Sequence, residues 1–361
     1  VPVLAILGDE SLQDDGVFTL TSIAHGVRAE KTLTNGLRLV KQFEVGTNYL
    51  VRATVRLENT TSATLALPAQ EWVIGTATPM SPKDDGARVG LMWYNGSKKE
   101  EILGPWFENR TLGCFPGTPR PEYRAGTSNV VWATAQNQFF ALAAMPAEPA
   151  LKVVSRTVQL PRPAADELPA NRQNGPAPRG YQTALVYPEL RLAPGEVLER
   201  EIHFFAGPKE YRTLARLAIR FQNNVDLVMG FGGFFGFFSK ALLLSMNWLH
   251  DTLKLSYGLA IIAITIIIKL LFWPLTQAST RSMKRMQALQ PQMKALQEKY
   301  KDDPRKMNQK LMEFMKEHKV SPLGGCLPIL LQIPVFIGFY QMLQSAIELR
   351  GARFLWACDL S

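Results

Sequence analysis

The chain has 361 residues, a formal charge of +9 and 47% hydrophobic residues, which is more length than one typical domain needs. Its mean hydropathy lies near zero, the value obtained when a water-soluble region is averaged with membrane segments. The positive excess is local, 24 Lys and Arg against 22 Asp and Glu in residues 1–220 but 11 against 5 in residues 275–322, so it speaks for membrane orientation and against specific nucleic-acid binding.

Val1 stands where a Met is usual, and Leu360 and Ser361 follow directly on an aromatic-rich stretch, so a fragment is expected. Cys114, Cys326 and Cys358 are far apart and lack CxxC or Cys/His ligand spacing. This pattern argues against a disulfide framework and a zinc site. The four histidines are equally scattered.

Residues 1 to about 210 show the period of two expected of half-buried strands. Val51, Ala53, Val55 and Leu57 alternate with Arg52, Thr54, Arg56 and Glu58. Asn35-Gly36 and Pro194-Gly195 supply turns, the second before a strand-like run from Val197 to Phe205. An all-β sandwich, β-supersandwich-like, is predicted for residues 1–215. Residues 161–180 hold five prolines and little to bury, so they read as a loop within that domain. GxxxxGK[ST], GxSxG and HExxH are all absent, and with them the usual phosphate, acyl-transfer and metalloprotease chemistry.

Between 216 and 252, Phe231, Phe234, Phe235, Phe237 and Phe238 crowd among glycines, and Lys240 and His250-Asp251 interrupt the apolar run. An amphipathic helix lying in the membrane interface is predicted. Were it a full span, the β-domain would face the opposite side, a difference that external protease would report. Residues 253–275 contain the apolar stretch Tyr257 to Trp273, long enough to cross most of a hydrocarbon core. Residues 322–349 contain a second, Leu323 to Ile347, with Pro328 and Pro334 in its first half. Between them, residues 276–321 repeat Met286, Leu289, Met293, Leu296 and then Met307, Leu311, Phe314. That spacing predicts a helical hairpin, with Asp303 capping the second helix, Pro304 opening it and Pro291 kinking the first. Its net charge of +6 retains it in the cytoplasm and leaves the β-domain and residues 350–361, the start of a loop, outside.

Lys269 is the one ionisable residue well inside a span, where a charge costs about 2.5–3.5 kcal/mol unless it reaches water or a partner. It lies four residues before Trp273, close enough for its stem to snorkel, and it also shares a face with Thr265 that would suit a watery cavity. Both readings stand on the residues alone. Gln341, Gln344 and Glu348 share another face, where interhelical hydrogen bonds are expected.

Ser321-Pro-Leu-Gly-Gly-Cys-Leu-Pro-Ile-Leu-Leu-Gln-Ile-Pro-Val-Phe-Ile-Gly-Phe-Tyr340 closely resembles the signature span of the YidC/Oxa/Alb membrane-protein insertases. Ile264 to Thr276 resembles that family's preceding span, and Leu289-Gln-Pro-Gln-Met293 its cytoplasmic hairpin. Gly207-Pro-Lys-Glu-Tyr211 and the outer β-domain are similar to the Gram-negative YidC branch.

The resemblance implies a multi-pass protein of the bacterial inner membrane with a periplasmic N-terminal domain. It implies five core spans around a hydrophilic groove, of which the last three would lie outside this sequence, as would a separate N-terminal anchor span. By position the groove's positive residue is Lys269, with Thr265 beside it, where bacterial members usually carry arginine. A substrate-contacting face is expected on Leu330, Ile333, Ile337, Tyr340 and Gln341. A docking surface is expected on Arg281, Lys284, Arg285, Lys294, Met286 and Met293. The implied partners are nascent membrane proteins, Sec translocon subunits, the ribosome or signal recognition particle receptor, and lipids. No enzyme activity, cofactor or metal is implied. A membrane-anchored carbohydrate-binding sandwich and a translocon scaffold are the competing readings.

Overall fold

The computed structural model describes the chain except residues 9–11, 13–15, 82, 83, 85, 111–116, 165–176, 302, 318–326 and 361, with backbone only at 327–329 and 331. The described residues form two compact units, Val1–Met229 and Gly230–Ser361.

The first unit runs β1 (Ile6–Leu7), β2 (Thr19–Ile23), β3 (Gly26–Thr32), β4 (Leu37–Val45), β5 (Leu50–Asn59), β6 (Leu65–Leu67), β7 (Gln70–Ala77), β8 (Gly90–Tyr94) and β9 (Lys99–Leu103). After α1 (Gly104–Glu108) come β10 (Glu122–Ala125), β11 (Trp132–Gln136), β12 (Phe140–Pro146), β13 (Lys152–Gln159), β14 (Arg179–Tyr187), β15 (Leu190–Leu192), β16 (Val197–Pro208) and α2 (Tyr211–Phe221). Five strands form one sheet in the order β1-β7-β14-β13-β10, nine form another in the order β2-β3-β4-β5-β16-β12-β11-β8-β9, and β15 pairs with β6. The sandwich predicted from alternation is what forms.

On β5, Ala53, Val55 and Leu57 are buried while Arg52 and Arg56 are exposed, as a period of two requires. Leu37, Leu39, Ile202 and Phe204 join them from the larger sheet and meet Trp72, Ile74, Val153 and Leu185 of the smaller one. Gly36 takes a positive φ of 81° in the β3–β4 turn, where the Asn35 carboxamide accepts from Leu37 N–H. Gln159 pairs with Arg179, so the proline-rich segment joins two neighbouring strands of one sheet.

The outer face of the larger sheet divides in two. Over β3, β4, β5 and β16 it carries cross-strand ion pairs, including Arg38 with Glu30 and Glu58, and Arg52 with Glu201. Over β8 and β11 it is covered: Leu214 and Leu217 of α2 and Val225, Val228 and Met229 beyond it are buried, Trp132 Nε1 donates to Asn223 O at 2.8 Å, and Tyr94 stacks on Trp132 at 5.7 Å between ring centroids. The residues up to Met229 therefore belong to the sandwich, and its boundary lies beyond the expected 215.

Lys209, in the Gly-Pro-Lys-Glu-Tyr run, is 6% exposed at the start of this cover. Burial pushes its ammonium down to about 8, with Glu101 opposing the shift. An unfolded chain keeps that proton up to about 10.5, so between about 8 and 10.5 the unfolded state holds the extra proton and raising the pH favours the fold. Thermal unfolding of residues 1–229 is expected to show stability rising across that window. Lys209→Met is expected to abolish the rise and to add about 2 kcal/mol at neutral pH. An identical pH profile in the variant would remove Lys209 as the source.

The second unit comprises α3 (Gly233–Leu253), α4 (Tyr257–Lys299), α5 (Pro304–Glu317) and α6 (Leu327–Ser345), closed by a 3-10 turn at Ile347–Leu349. Among the described residues α4 is the helix long and apolar enough to cross a membrane by itself. It does not end near residue 275. Pro274 and Pro291 lie inside one continuous helix, and Pro291 stands among the strong helix formers Gln, Ala, Leu, Met and Lys. In addition, the hydroxyls of Thr276 and Thr280 bond back to the carbonyls of Phe272 and Thr276 at 2.9 and 2.8 Å. The first helix of the predicted hairpin is thus a continuation of the apolar helix itself. Asp303 caps α5 as expected, accepting from Lys306 N–H at 3.1 Å.

Gly236, Ser239, Leu242, Leu243, Met246 and Asn247 are the buried face of α3, and Phe234, Phe237, Leu244 and Trp248 are exposed on the other. The buried face lies along α6, where Gly338 has no Cβ to collide with Phe238, 2.6 Å from where one would stand.

Candidate functional site

Lys269 is exposed on α4 among exposed Ile266, Leu270 and Trp273. It has no hydrogen bond or ion pair among the described residues. The packed stripe of α4 runs through Ala260, Ile264, Ile268, Phe272, Leu275 and Ser279, and at 100° per residue Lys269 lies on its flank. Thr265 shares that flank, half-buried, with its hydroxyl donating to Ile261 O at 2.8 Å. Thr276 and Thr280 continue the flank beyond the apolar stretch. A polar strip therefore leads from within the apolar stretch into the charged arm of α4. The spacing of four, seven and four from Thr265 through Lys269 and Thr276 to Thr280 is the sequence signal of this strip.

On α6, Leu330, Ile333 and Tyr340 are exposed, with Phe336 between them. These four form one apolar stripe at spacing three, three and four. Phe336 escaped the sequence reading because nothing marked which face packs. Ile337 is half-buried at the edge of the stripe. Gln341 is turned to α3, its Oε1 accepting from Ser239 Oγ at 3.0 Å. Two turns on, Asn247 Nδ2 donates to Glu348 Oε1 at 3.0 Å. The polar face anticipated on α6 is thus an interhelical clasp at Gln341 and Glu348, and the ordered pairing makes α3 and α6 run in the same direction.

Arg281, Lys284, Arg285 and Lys294 are exposed along the charged arm of α4, whereas Met286 and Met293 are half-buried on the stripe that also holds Leu289 and Leu296. Half-buried Met307, Leu311, Phe314 and Met315 of α5 form the complementary face. The docking residues inferred from sequence therefore separate into an outward basic set and an inward thioether set.

Among the described residues no group of His, Cys, Asp and Glu forms a metal site. Asp14-Asp15, Asp84-Asp85 and Glu100-Glu101 are acidic pairs adjacent in sequence, and their described members have structural duties: Asp84 accepts from the N–H groups of Met80 and Gly86, Glu100 from the Tyr123 hydroxyl at 2.9 Å and Glu101 from Gln136 Nε2 at 3.1 Å. Asp14, Asp15, Asp85, Cys114 and Cys326 lie outside the described residues, as does Ser321 to Cys326 of the signature run. Cys358 is a free, exposed thiol.

Comparison with known proteins matches a family model described as YidC periplasmic domain over residues 13–244 and one described as 60Kd inner membrane protein over residues 248–361. Relatives named membrane protein insertase YidC include that of Syntrophobacter fumaroxidans, 46% identical over 48% of this chain and 30% of the relative. That of Geobacter sulfurreducens is 45% identical over 50% and 34%. That of Syntrophus aciditrophicus is 38% identical over 64% and 39%. The chain thus spans roughly a third of the length of these relatives. With a β-sandwich matching along most of its length and an apolar helical unit matching an inner-membrane model, the chain belongs to the YidC family of bacterial inner-membrane proteins with a periplasmic domain.

Proposed function

We propose that the chain is part of a membrane-protein insertase, in which the polar flank of a nascent segment meets Lys269 and Thr265 while its apolar helix slides along the exposed stripe of α6. The observation that carries this reading is a lysine unpaired among the described residues and set inside an apolar span, on the strip that Thr265, Thr276 and Thr280 continue toward the cytoplasm. The names of the relatives support it. No bond is made or broken. Transfer of apolar surface, worth about 25 cal/mol per Å², provides the driving force, and a hydrated flank lowers the barrier for polar residues that must cross.

The basic face of the arm, Arg281, Lys284, Arg285 and Lys294, is the proposed docking surface for the ribosome, the signal recognition particle receptor or Sec translocon subunits, with anionic lipids close beneath. The apolar stripe of α3 suits the lipid boundary. Glycosidase chemistry on the β-domain loses one candidate acid pair, because Glu100 and Glu101 serve the fold.

Photo-crosslinkers at positions along Leu330 to Leu343, challenged with stalled nascent membrane proteins, test the reading. Contact with the emerging span is expected at Leu330, Ile333, Phe336 and Tyr340 and not at buried Met342. A protein that crosslinks to translocon subunits at every position and never to a nascent span would be a scaffold.

A further inference from the structure

After the 3-10 turn that closes α6, the chain folds back on itself. Phe354 N–H donates to Ala357 O and Ala357 N–H to Phe354 O, both at 2.9 Å, so Leu355 and Trp356 form the tip of a two-residue turn. Gly351 N–H donates to Asp359 Oδ1 at 3.0 Å and closes the loop around that turn. The Phe354 ring lies against the first turn of α4, where a Cβ on Gly258 would stand 2.3 Å from it. This contact pins the tip beside the outer end of α4.

Leu355 holds a φ of 52°, the left-handed region that a γ-branched apolar residue rarely adopts and glycine or asparagine would take easily. It is 75% exposed, and Trp356 is 88% exposed. A hydrogen-bonded tip that takes a left-handed conformation to present leucine and tryptophan outward suits an apolar medium at that spot. The Phe354–Gly258 contact sets the height of the tip at the first turn of α4, which is the level of the hydrocarbon boundary for a helix that spans from Tyr257. Exposed Arg353 precedes the turn, and a guanidinium beside an indole matches a phosphate above an acyl chain.

We propose that the Phe354–Ala357 turn is a lipid anchor, with Leu355 and Trp356 entering the headgroup–acyl boundary of the outer leaflet and Arg353 pairing with headgroup phosphate. It fixes the outer ends of α4 and α6 at one depth. The proposal rests on membrane placement of the two helices and is independent of insertion activity.

The test uses the full chain labelled with fluorotryptophan in phospholipid nanodiscs. The fluorine resonance missing from Trp356→Phe identifies Trp356. Lipids with a nitroxide near the headgroup are expected to broaden that resonance more than a water-soluble paramagnetic chelate does. Broadening by the chelate alone places the tip in water, and broadening by neither places it under another part of the protein. Either result overturns the anchor. Leu355→Gly keeps the turn, since glycine suits the backbone there, and is expected to weaken the lipid effect on Trp356 about twofold. An unchanged effect would show that the tip is held at its depth by the protein and not by lipid.

Discussion

Lys269→Glu is expected to lower insertion of single-span substrates with acidic outer tails about tenfold, while Lys269→Arg stays near the parent. A unit charge about 8 Å from an acidic flank residue is worth about 2 kcal/mol at an effective dielectric of 20. Reversing its sign turns that attraction into a comparable repulsion. Mobility of the flank and partial hydration reduce the difference, and about 1.4 kcal/mol, a factor of ten, is a conservative remainder. Glutamate and lysine cost similar amounts inside a span, so loss of the helix itself does not account for the effect. Lys269→Leu separates the two roles that the residues alone left open. A lysine that merely snorkels to the headgroups is dispensable, and leucine then inserts substrates normally. A lysine that contacts the substrate is not, and leucine then falls between parent and glutamate. Protease protection of substrates in proteoliposomes measures all three. Equal protection by all the variants would end the groove role.

What could be read in the sequence was whatever repeats along a single segment. The alternation on β5, the turn at Asn35-Gly36 and the cap at Asp303 each depend on neighbours in sequence, and each is found where the pattern placed it. What joins distant segments was not legible. The Ser239–Gln341 and Asn247–Glu348 bonds cross about a hundred residues. The glutamines announced a polar face but not the helix that meets it. Pro274 stands at the end of the apolar stretch and Pro291 in the charged arm beyond it, yet one helix runs through both: in the span the backbone has no other partner, and in the arm the neighbours of Pro291 are strong helix formers. The 3-10 turn and Trp132 decide that residues 216–229 close the sandwich, and nothing in their composition separated them from the phenylalanine-rich helix that follows.

Trp132→Ala is expected to destabilise the β-domain by about 4 kcal/mol, at the upper end of what loss of a buried aromatic costs. Trp132 is fully buried, and removing it forfeits roughly 200 Å² of burial, a stacked partner and one hydrogen bond to Asn223 O. The damage is also directional. Tyr94 loses its stacking neighbour while its hydroxyl still accepts from Asn224 Nδ2 at 3.0 Å and donates to Gly96 O at 2.7 Å. That leaves α2 and the 3-10 turn held by the Asn224–Tyr94 bond, the Phe221–His203 ring contact and their buried apolar side chains. The inter-sheet core, on the opposite face of β11, keeps its contacts through Ala133 and Ala135. Amide hydrogen exchange of residues 1–229 should therefore show protection lost first at 211–229 and retained on β5 and β16. Trp132→Phe keeps most of the volume without the N–H and is expected to cost about 1–2 kcal/mol. If instead the alanine variant loses protection uniformly, the helical cover and the sandwich fold as one cooperative body, and Trp132 is a core residue of that body and not a latch upon it.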